Sequence, residues 1–154
     1  MRTAADVVVG LRPVLPEDLE AHFTQQRDPA SARMAAVPSR DRADFDRHWD
    51  HILADPDVVA RTVVADGEVA GSAVCFVRDG QRQVGYWIAR ERWGQGIASA
   101  ALRQLLDEVG ERPLHARVAA HNAGSLRVLE RCGFARVGEE RDGDVAVHVL
   151  RLGD

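Results

Sequence analysis

Val84-Gly85-Tyr86-Trp87-Ile88-Ala89 followed by Arg90-Glu91-Arg92-Trp93-Gly94-Gln95-Gly96 and then Ile97-Ala98-Ser99-Ala100-Ala101-Leu102-Arg103-Gln104-Leu105-Leu106-Asp107-Glu108-Val109-Gly110 is the stretch on which the fold turns. Its first part is a run of strand formers. Its last part carries apolar residues at Ile97, Ala98, Ala101, Leu102, Leu105, Leu106 and Val109, the helical period with one face covered. Gly110 and Pro113 end that helix, and Leu114 to Ala120 reads as a strand again. Strand, helix and strand in this order imply a crossover to a parallel neighbour.

Working outward, three Asp-Gly pairs, Asp66-Gly67, Asp79-Gly80 and Asp142-Gly143, each lie between valine-rich segments, a strong hairpin signal. The first two predict a meander of Val58 to Ala65, Glu68 to Val77 and Arg82 to Ala89. The third predicts a closing hairpin of Phe134 to Arg141 with Asp144 to Leu152, and Val7 to Leu11 supplies an opening strand. A short helix is expected from Asn122 to Cys132, with Gly133 as its left-handed C-terminal residue. Two earlier helices are expected, one after Pro16 with Leu19 and Phe23, and one with Phe45, Trp49, Ile52 and Leu53 stopped by Asp55-Pro56. The whole is an α+β fold: a mixed, mostly antiparallel sheet with a central parallel strand pair, flanked by about four helices. No linker or repeat divides it, so residues 1–154 form a single domain.

The composition, 45% hydrophobic and 29% charged over 154 residues, is that of a globular chain able to bury a core without staples. A net charge of -4 argues against DNA or other nucleic acid as the main partner, since phosphate binding requires a concentrated basic surface. Met1-Arg2-Thr3-Ala4-Ala5-Asp6 places an acid where an export signal would begin its apolar core, and apolar runs are short, so a cytoplasmic chain with no membrane partner is expected. Cys75 and Cys132 stand alone among apolar neighbours and read as buried free thiols.

Open sheets bind ligands where an antiparallel sheet meets a parallel neighbour and strand ends splay. The residues at that point suit an anion. Gly94 and Gly96 let the backbone approach closely, and the unpaired N–H groups of the following helix turn offer donors at its positive dipole end. A tight turn before a helix explains the glycines equally well. A Rossmann fingerprint is excluded by the missing third glycine and acidic partner, and a P-loop by the missing Gly-Lys-Ser/Thr.

A second motif completes the pattern: Asn122-Ala123-Gly124-Ser125, then Leu129-Glu130-Arg131-Cys132-Gly133-Phe134. With Gly85-Tyr86-Trp87-Ile88 and Trp93 to Ala98, the chain resembles the GNAT N-acetyltransferase superfamily, in the branch of the ribosomal-protein N-terminal acetyltransferases. The similarity runs from Arg12 to Leu152 and is sharpest from Gly85 to Phe134. It implies an acyl-CoA-dependent N-acyltransferase with acetyl-CoA as co-substrate and a peptide or small-molecule primary amine as acceptor; a homodimer is compatible with it. The resemblance further implies that the backbone of Gly94, Gln95, Gly96, Ile97, Ala98 and Ser99 holds the pyrophosphate. Trp87, Ile88 and Ala89 would pair with the pantetheine arm like an added strand, Asn122 would bond the arm, and Ser125 would lie near the sulfur and protonate the thiolate. Asn122 is also a good helix N-cap, and Ser125 is equally an ordinary first-turn residue.

The chain departs from the family in two places. Trp93 stands where many members have Gln or Arg, and the acid tyrosine many members carry in the helix after the fifth strand is missing, the only tyrosine being Tyr86. No Asp or Glu lies in Val84 to Ala89 to act as base, and Glu91 reads as a solvated loop acid. His121, at a strand end beside Asn122, is a candidate catalytic group that titrates near neutrality; an exposed strand-end histidine is its plainer reading. His48 and His51 are one helical turn apart without a third ligand, so no metal is expected. Without a strong base, α-amines are the favoured acceptors. Phe23, Met34, Phe45 and Trp49 are expected either to line the acceptor pocket or to serve as core. The competing function is a non-catalytic acyl-CoA sensor.

Overall fold

The computed structural model describes residues 7–153; the reading of Met1 to Asp6 lies outside them. Seven strands form one sheet in the order β1-β2-β3-β4-β5-β7-β6. In chain order they are β1 (Val9–Pro13), β2 (Val59–Ala65), β3 (Glu68–Arg78), β4 (Gln81–Ile88), β5 (Leu114–Ala119), β6 (Ala135–Asp142) and β7 (Val145–Leu152). Every neighbouring pair is antiparallel except β4 and β5, which are parallel. The helices are α1 (Asp18–Gln26), α2 (Pro29–Ala35), α3 (Arg42–Ala54), α4 (Ile97–Glu108) and α5 (Ala123–Arg131).

The sheet and its crossover match the expectation, but the early region holds three helices where two were expected. The extra one, α2, is short, and a local cap defines it. Asp28 accepts from both the backbone N–H and the hydroxyl of Ser31, each at 2.9 Å, and Pro29 supplies a preset φ at the first helical position. Seven residues give too few apolar repeats to betray a helix by period. The third hairpin also differs. In the first two turns both Asp and Gly have positive φ, as a type I′ turn requires, whereas Asp142 pairs with Val145 and Gly143 leads the turn with Asp144 second.

Strand alternation divides the residues of the meander between two faces. Ala60 and Val74 pack with Phe45, Trp49, Leu19 and Phe23 under α1 and α3. Val63, Ala73, Cys75, Val84 and Ile88 pack with Leu102, Leu105, Leu126 and Leu129 under α4 and α5. Of the two cysteines, both free, Cys75 is fully buried and Cys132 only half-buried. The same alternation turns Trp87 toward α1, where its indole donates to the Gln25 carbonyl at 3.3 Å, and Tyr86 toward α5.

Asp18 ties three elements together. Its carboxylate takes both guanidinium nitrogens of Arg12 on β1, at 2.5 and 2.8 Å, the Leu15 N–H at 2.8 Å and the Thr62 hydroxyl on β2 at 2.8 Å. The Arg12 bond, helped by those from Leu15 and Thr62, overcomes the cost of burial and lowers the Asp18 pKa to about 2.

Candidate functional site

The parallel pairing of β4 with β5 registers at a single pair, Gln83 with His115, while β5 pairs with β7 along its whole length. Beyond Gln83 the two strands therefore part. Ala89 N–H turns away from the gap, to Ala70 O at 2.8 Å. Alternation then turns the N–H and C=O of Ile88 toward the gap, where no strand meets them. The chain itself fills one of these positions: the Trp93 indole donates to Ile88 O at 2.9 Å. Trp93 thus anchors the turn after β4 to the strand end, which gives this departure from the family pattern a structural role. Ile88 N–H keeps facing the gap.

The gap opens into a cavity of about 590 Å³ lined by Trp87, Ile88, Gly94, Gly96, Ile97, Ala98, Ser99, His121, Asn122 and Ser125. Gly94 and Gly96 hold φ of +79° and +77°, in the left-handed region that glycine adopts without strain. Gly96 caps α4 without any side-chain acceptor, and no acid sits in the first turn. The N–H groups of Ile97, Ala98 and Ser99 are thus free of an intramolecular side-chain cap, at the positive end of a twelve-residue helix. Arg92, Arg127 and Arg131 line the same cavity. A pyrophosphate fits these donors and charges, as the glycine spacing suggests.

Asn122 caps α5, its Oδ1 accepting from Ser125 N–H at 3.2 Å, so capping takes the oxygen and leaves the amide hydrogens as donors to a ligand. Three residues on, the Ser125 hydroxyl meets the Tyr86 hydroxyl at 2.6 Å. This pairing is not legible in sequence. A tyrosine from β4 thus reaches the first turn of α5. Burial pushes the Tyr86 phenol up to about 12, against the pull of its Ser125 bond, so it stays protonated at neutral pH.

Two of the expected cofactor residues stand off the cavity wall: Gln95, and Ala89, whose N–H is held in the sheet. His121 is on the wall but exposed, and its Nε2 donates to the Arg33 carbonyl at 2.9 Å, so it latches the end of α2 to the start of α5. Met34 lines this cavity too. Among the described residues no group of three or more His, Cys, Asp or Glu could hold a metal ion.

On the α1 side of β4 lies a second cavity of about 540 Å³, lined among others by His22, Gln25, Asp44, Phe45, His48, Trp49 and Trp87. Phe45 and Trp49 belong to the core and also line this cavity, while Phe23 packs behind them edge-on to Phe45 at 5.2 Å. Gln26 holds the loop between α2 and α3 over this cavity, bonding both the N–H and the carbonyl of Arg40. The two cavities share Tyr86 and Trp87.

A strand edge freed by splaying, a glycine turn into an uncapped helix, and a second cavity across the same strand thus meet at the end of β4. Residues 9–135 match the model of the Acetyltransferase (GNAT) domain family, and the chain belongs to that family. It is 34% identical over 102 residues to YdaF of Bacillus subtilis (strain 168), which carries the name of a ribosomal N-acetyltransferase; the match covers 62% of this chain and 56% of YdaF. The chain spans about half the length of the curated relatives it matches. Among solved structures, spermidine N-acetyltransferase from Vibrio cholerae, in complex with CoA and spermine, superposes with a TM-score of 0.81 at 16% identity, covering 94% of each chain. Mycobacterium smegmatis RimJ, in complex with CoA-disulfide, does so with a TM-score of 0.78 at 22% identity, covering 99% of this chain and 90% of its own. These likenesses agree with the fold. No helix among the described residues is long and apolar enough to cross a membrane.

Proposed function

We propose that this chain transfers the acetyl group of acetyl-CoA to a primary amine, a peptide α-amine or a small-molecule amine. The observation that carries the reading is the meeting of two cavities on Tyr86 and Trp87, one with uncapped helix donors for a pyrophosphate and one walled by aromatic and polar side chains. The neighbours' CoA complexes and the names of the relatives support it. Seated along the gap, the thioester would present its carbonyl to Ile88 N–H, a fixed donor for the oxyanion. The sulfur would lie beside Ser125.

The Tyr86 value decides how that pair acts. A phenol at about 12 would have to yield its proton to a thiolate whose conjugate acid lies near 8.5, uphill by ~5 kcal/mol. Outright acid catalysis by Tyr86 is therefore disfavoured. Instead, Tyr86 orients the Ser125 hydroxyl, which keeps its proton and stabilises the departing thiolate by a hydrogen bond, the thiolate taking its proton from solvent. Such a bond to a charged group contributes roughly 1.5–3 kcal/mol. Ser125→Ala is accordingly expected to lower kcat about 10- to 100-fold with the amine KM little changed, checked by steady-state kinetics; undiminished turnover would remove the serine from the reaction.

The acceptor is argued from acidity. At pH 7 an α-amine with pKa near 8 is roughly one-tenth neutral, and a lysine amine near 10.4 is neutral below about one part in a thousand. Since β4 carries no carboxylate, α-amines are the better acceptors. Thiol release from acetyl-CoA across a panel of amines tests both levels. Release with α-amines is expected; release with internal lysines alone would overturn the acceptor class, and CoA binding without release would favour a sensor.

A further inference from the structure

The cavity on the α1 side of β4 is covered by the loop between α2 and α3, and three hydrogen bonds fix that loop. Gln26, the last residue of α1, accepts the Arg40 N–H at 2.7 Å and donates to the Arg40 carbonyl at 3.0 Å, while the Ser39 hydroxyl donates to the Gln26 carbonyl at 2.9 Å. The Arg40 backbone is held, yet its guanidinium has no ion pair or hydrogen bond among the described residues. The nearby arginines are all engaged: Arg42 by Glu20 and Asp46, Arg47 by Asp44, and Arg27 over the ring of Phe23. The acid next in sequence, Asp41, caps α3 by accepting the Asp44 N–H at 2.9 Å. Of the residues lining this cavity only Arg40 and Asp44 are charged at neutral pH, and Arg47 neutralises Asp44. Among the described residues Arg40 thus carries the one uncompensated charge on the wall.

A second observation lies on the sheet side of the same cavity. Ser72 is 9% exposed and lines it, and the Ser72 hydroxyl forms no hydrogen bond among the described residues. Unlike the sealed Nδ1 of His22, this hydroxyl oxygen keeps contact with the cavity space. Ser72 on β3 is paired in register with Trp87 on β4, and Trp87 belongs to the wall common to both cavities. A free hydroxyl therefore sits beside the shared wall, and a free guanidinium belongs to the loop that covers the cavity.

We propose that the acceptor is a primary amine carrying one carboxylate, bound with the carboxylate on Arg40 and with its amine nitrogen donating to the Ser72 hydroxyl. The inference rests on the acetyl-transfer reading and names its substrate class. A guanidinium presents two parallel N–H donors, which match one carboxylate in geometry and charge, whereas a phosphate carries more charge than a single arginine compensates. The Arg40 charge is felt on the wall itself. Partial burial, and then that charge, lower the His48 pKa, so the His48 ring stays neutral at pH 7 and adds no second cation. Much of the remaining wall, with Phe45, Trp49 and Ile52, is apolar and suits the carbon chain joining amine to carboxylate. A polycationic acceptor meets the opposite conditions, since Arg40 repels it and Asp44 is already taken.

The test measures kcat/KM by thiol release at saturating acetyl-CoA for the dipeptide amides Ala-Glu, Ala-Gln and Ala-Lys, whose α-amines share a pKa near 8, so that only the second side chain differs. A second arm, γ-aminobutyrate against its amide, separates a small-molecule carboxylate from a peptide one. In at least one arm the carboxylate should raise kcat/KM about 10- to 100-fold over its neutral partner, and Ala-Lys amide should fall below Ala-Gln amide. Arg40 is exposed, so its variants keep the fold. Arg40→Gln should bring the carboxylate-to-neutral ratio toward unity, Arg40→Lys should keep part of it, and Arg40→Glu should reverse the order in favour of Ala-Lys amide. Ser72→Ala should lower kcat/KM severalfold for every acceptor and leave the ratio in place. No carboxylate preference in either arm, a ratio unmoved by Arg40→Glu, or Ser72→Ala with unchanged constants overturns the proposal. No thiol release from the unaltered protein with any amine would refute the acetyl-transfer reading itself, and nitrogen-15 NMR then judges the site. A shift of the Arg40 Nε–H on adding Ala-Glu amide but not Ala-Gln amide supports it; an equal response, or none, overturns it.

Discussion

Asp18→Ala should be among the most damaging single substitutions in the chain, lowering the unfolding free energy by about 3 kcal/mol or more. The carboxylate is 2% exposed and holds β1 through Arg12, the start of α1 through Leu15 N–H, and β2 through Thr62. Its removal leaves a guanidinium and a hydroxyl without their buried acceptor, and the lost bonds join segments 44 residues apart. Denaturant titration at pH 7 measures the change. A pH series separates the charge from the packing. Because the folded pKa is lowered from 3.8 to about 2, ionised Asp18 contributes its stability in full above pH 3.8. That contribution, ~2 kcal/mol from the depression alone, is lost as pH falls from 3.8 toward 2. The gap between the unaltered protein and Asp18→Asn should therefore narrow over that window; a gap constant down to pH 2 would contradict the hydrogen-bonded anion.

The second large effect is expected from Gly71→Ala. A Cβ at this position would lie 1.9 Å from Trp87 O and 2.9 Å from Trp87 C, both backbone atoms with no side-chain freedom to yield. Either β3 or β4 must shift by about 1 Å, a displacement that costs on the order of 100-fold in rate when it moves a reacting group. The shift falls on the wall common to both cavities and on the peptide that presents Ile88 N–H. Gly71→Ala should thus lose about 100-fold in kcat/KM together with weakened CoA binding, read by thiol release and calorimetry. Gly85 offers a comparison on the neighbouring strand, since a Cβ there meets only the Val74 and Phe76 side chains at 3.7 and 3.9 Å. Unimpaired Gly71→Ala would contradict the close approach of β3 and β4.

Much of this architecture is legible because local signals carry it. The Asp-Gly pairs place the meander, the period from Ile97 to Val109 places α4, and the run from strand through two glycines to helix marks where one of the two cavities opens. What stays hidden depends on contacts across the chain. Tyr86 and Ser125 sit on different elements 39 residues apart, and no spacing rule links them. The chain from Asp18 through Thr62 to His22 joins α1 to β2 over 40 residues and more, so His22 reads in sequence as one more helix residue. His121, prominent by position, proves to be tethered to Arg33. Met34 lines the cavity shared with Gly94, Gly96 and Asn122 because the Asp28 cap turns residues 29–35 into a helix of their own beside β5.

The account depends on backbone hydrogens at the head of α4 receiving a diphosphate. Titrating nitrogen-15-labelled protein with coenzyme A and following the backbone amides tests this directly. The largest shifts are predicted at Gly94, Gly96, Ile97, Ala98 and Ser99, with Ile88 and Asn122 following along the arm. Saturating coenzyme A that left those amides unmoved, or moved only residues elsewhere on the sheet, would contradict it.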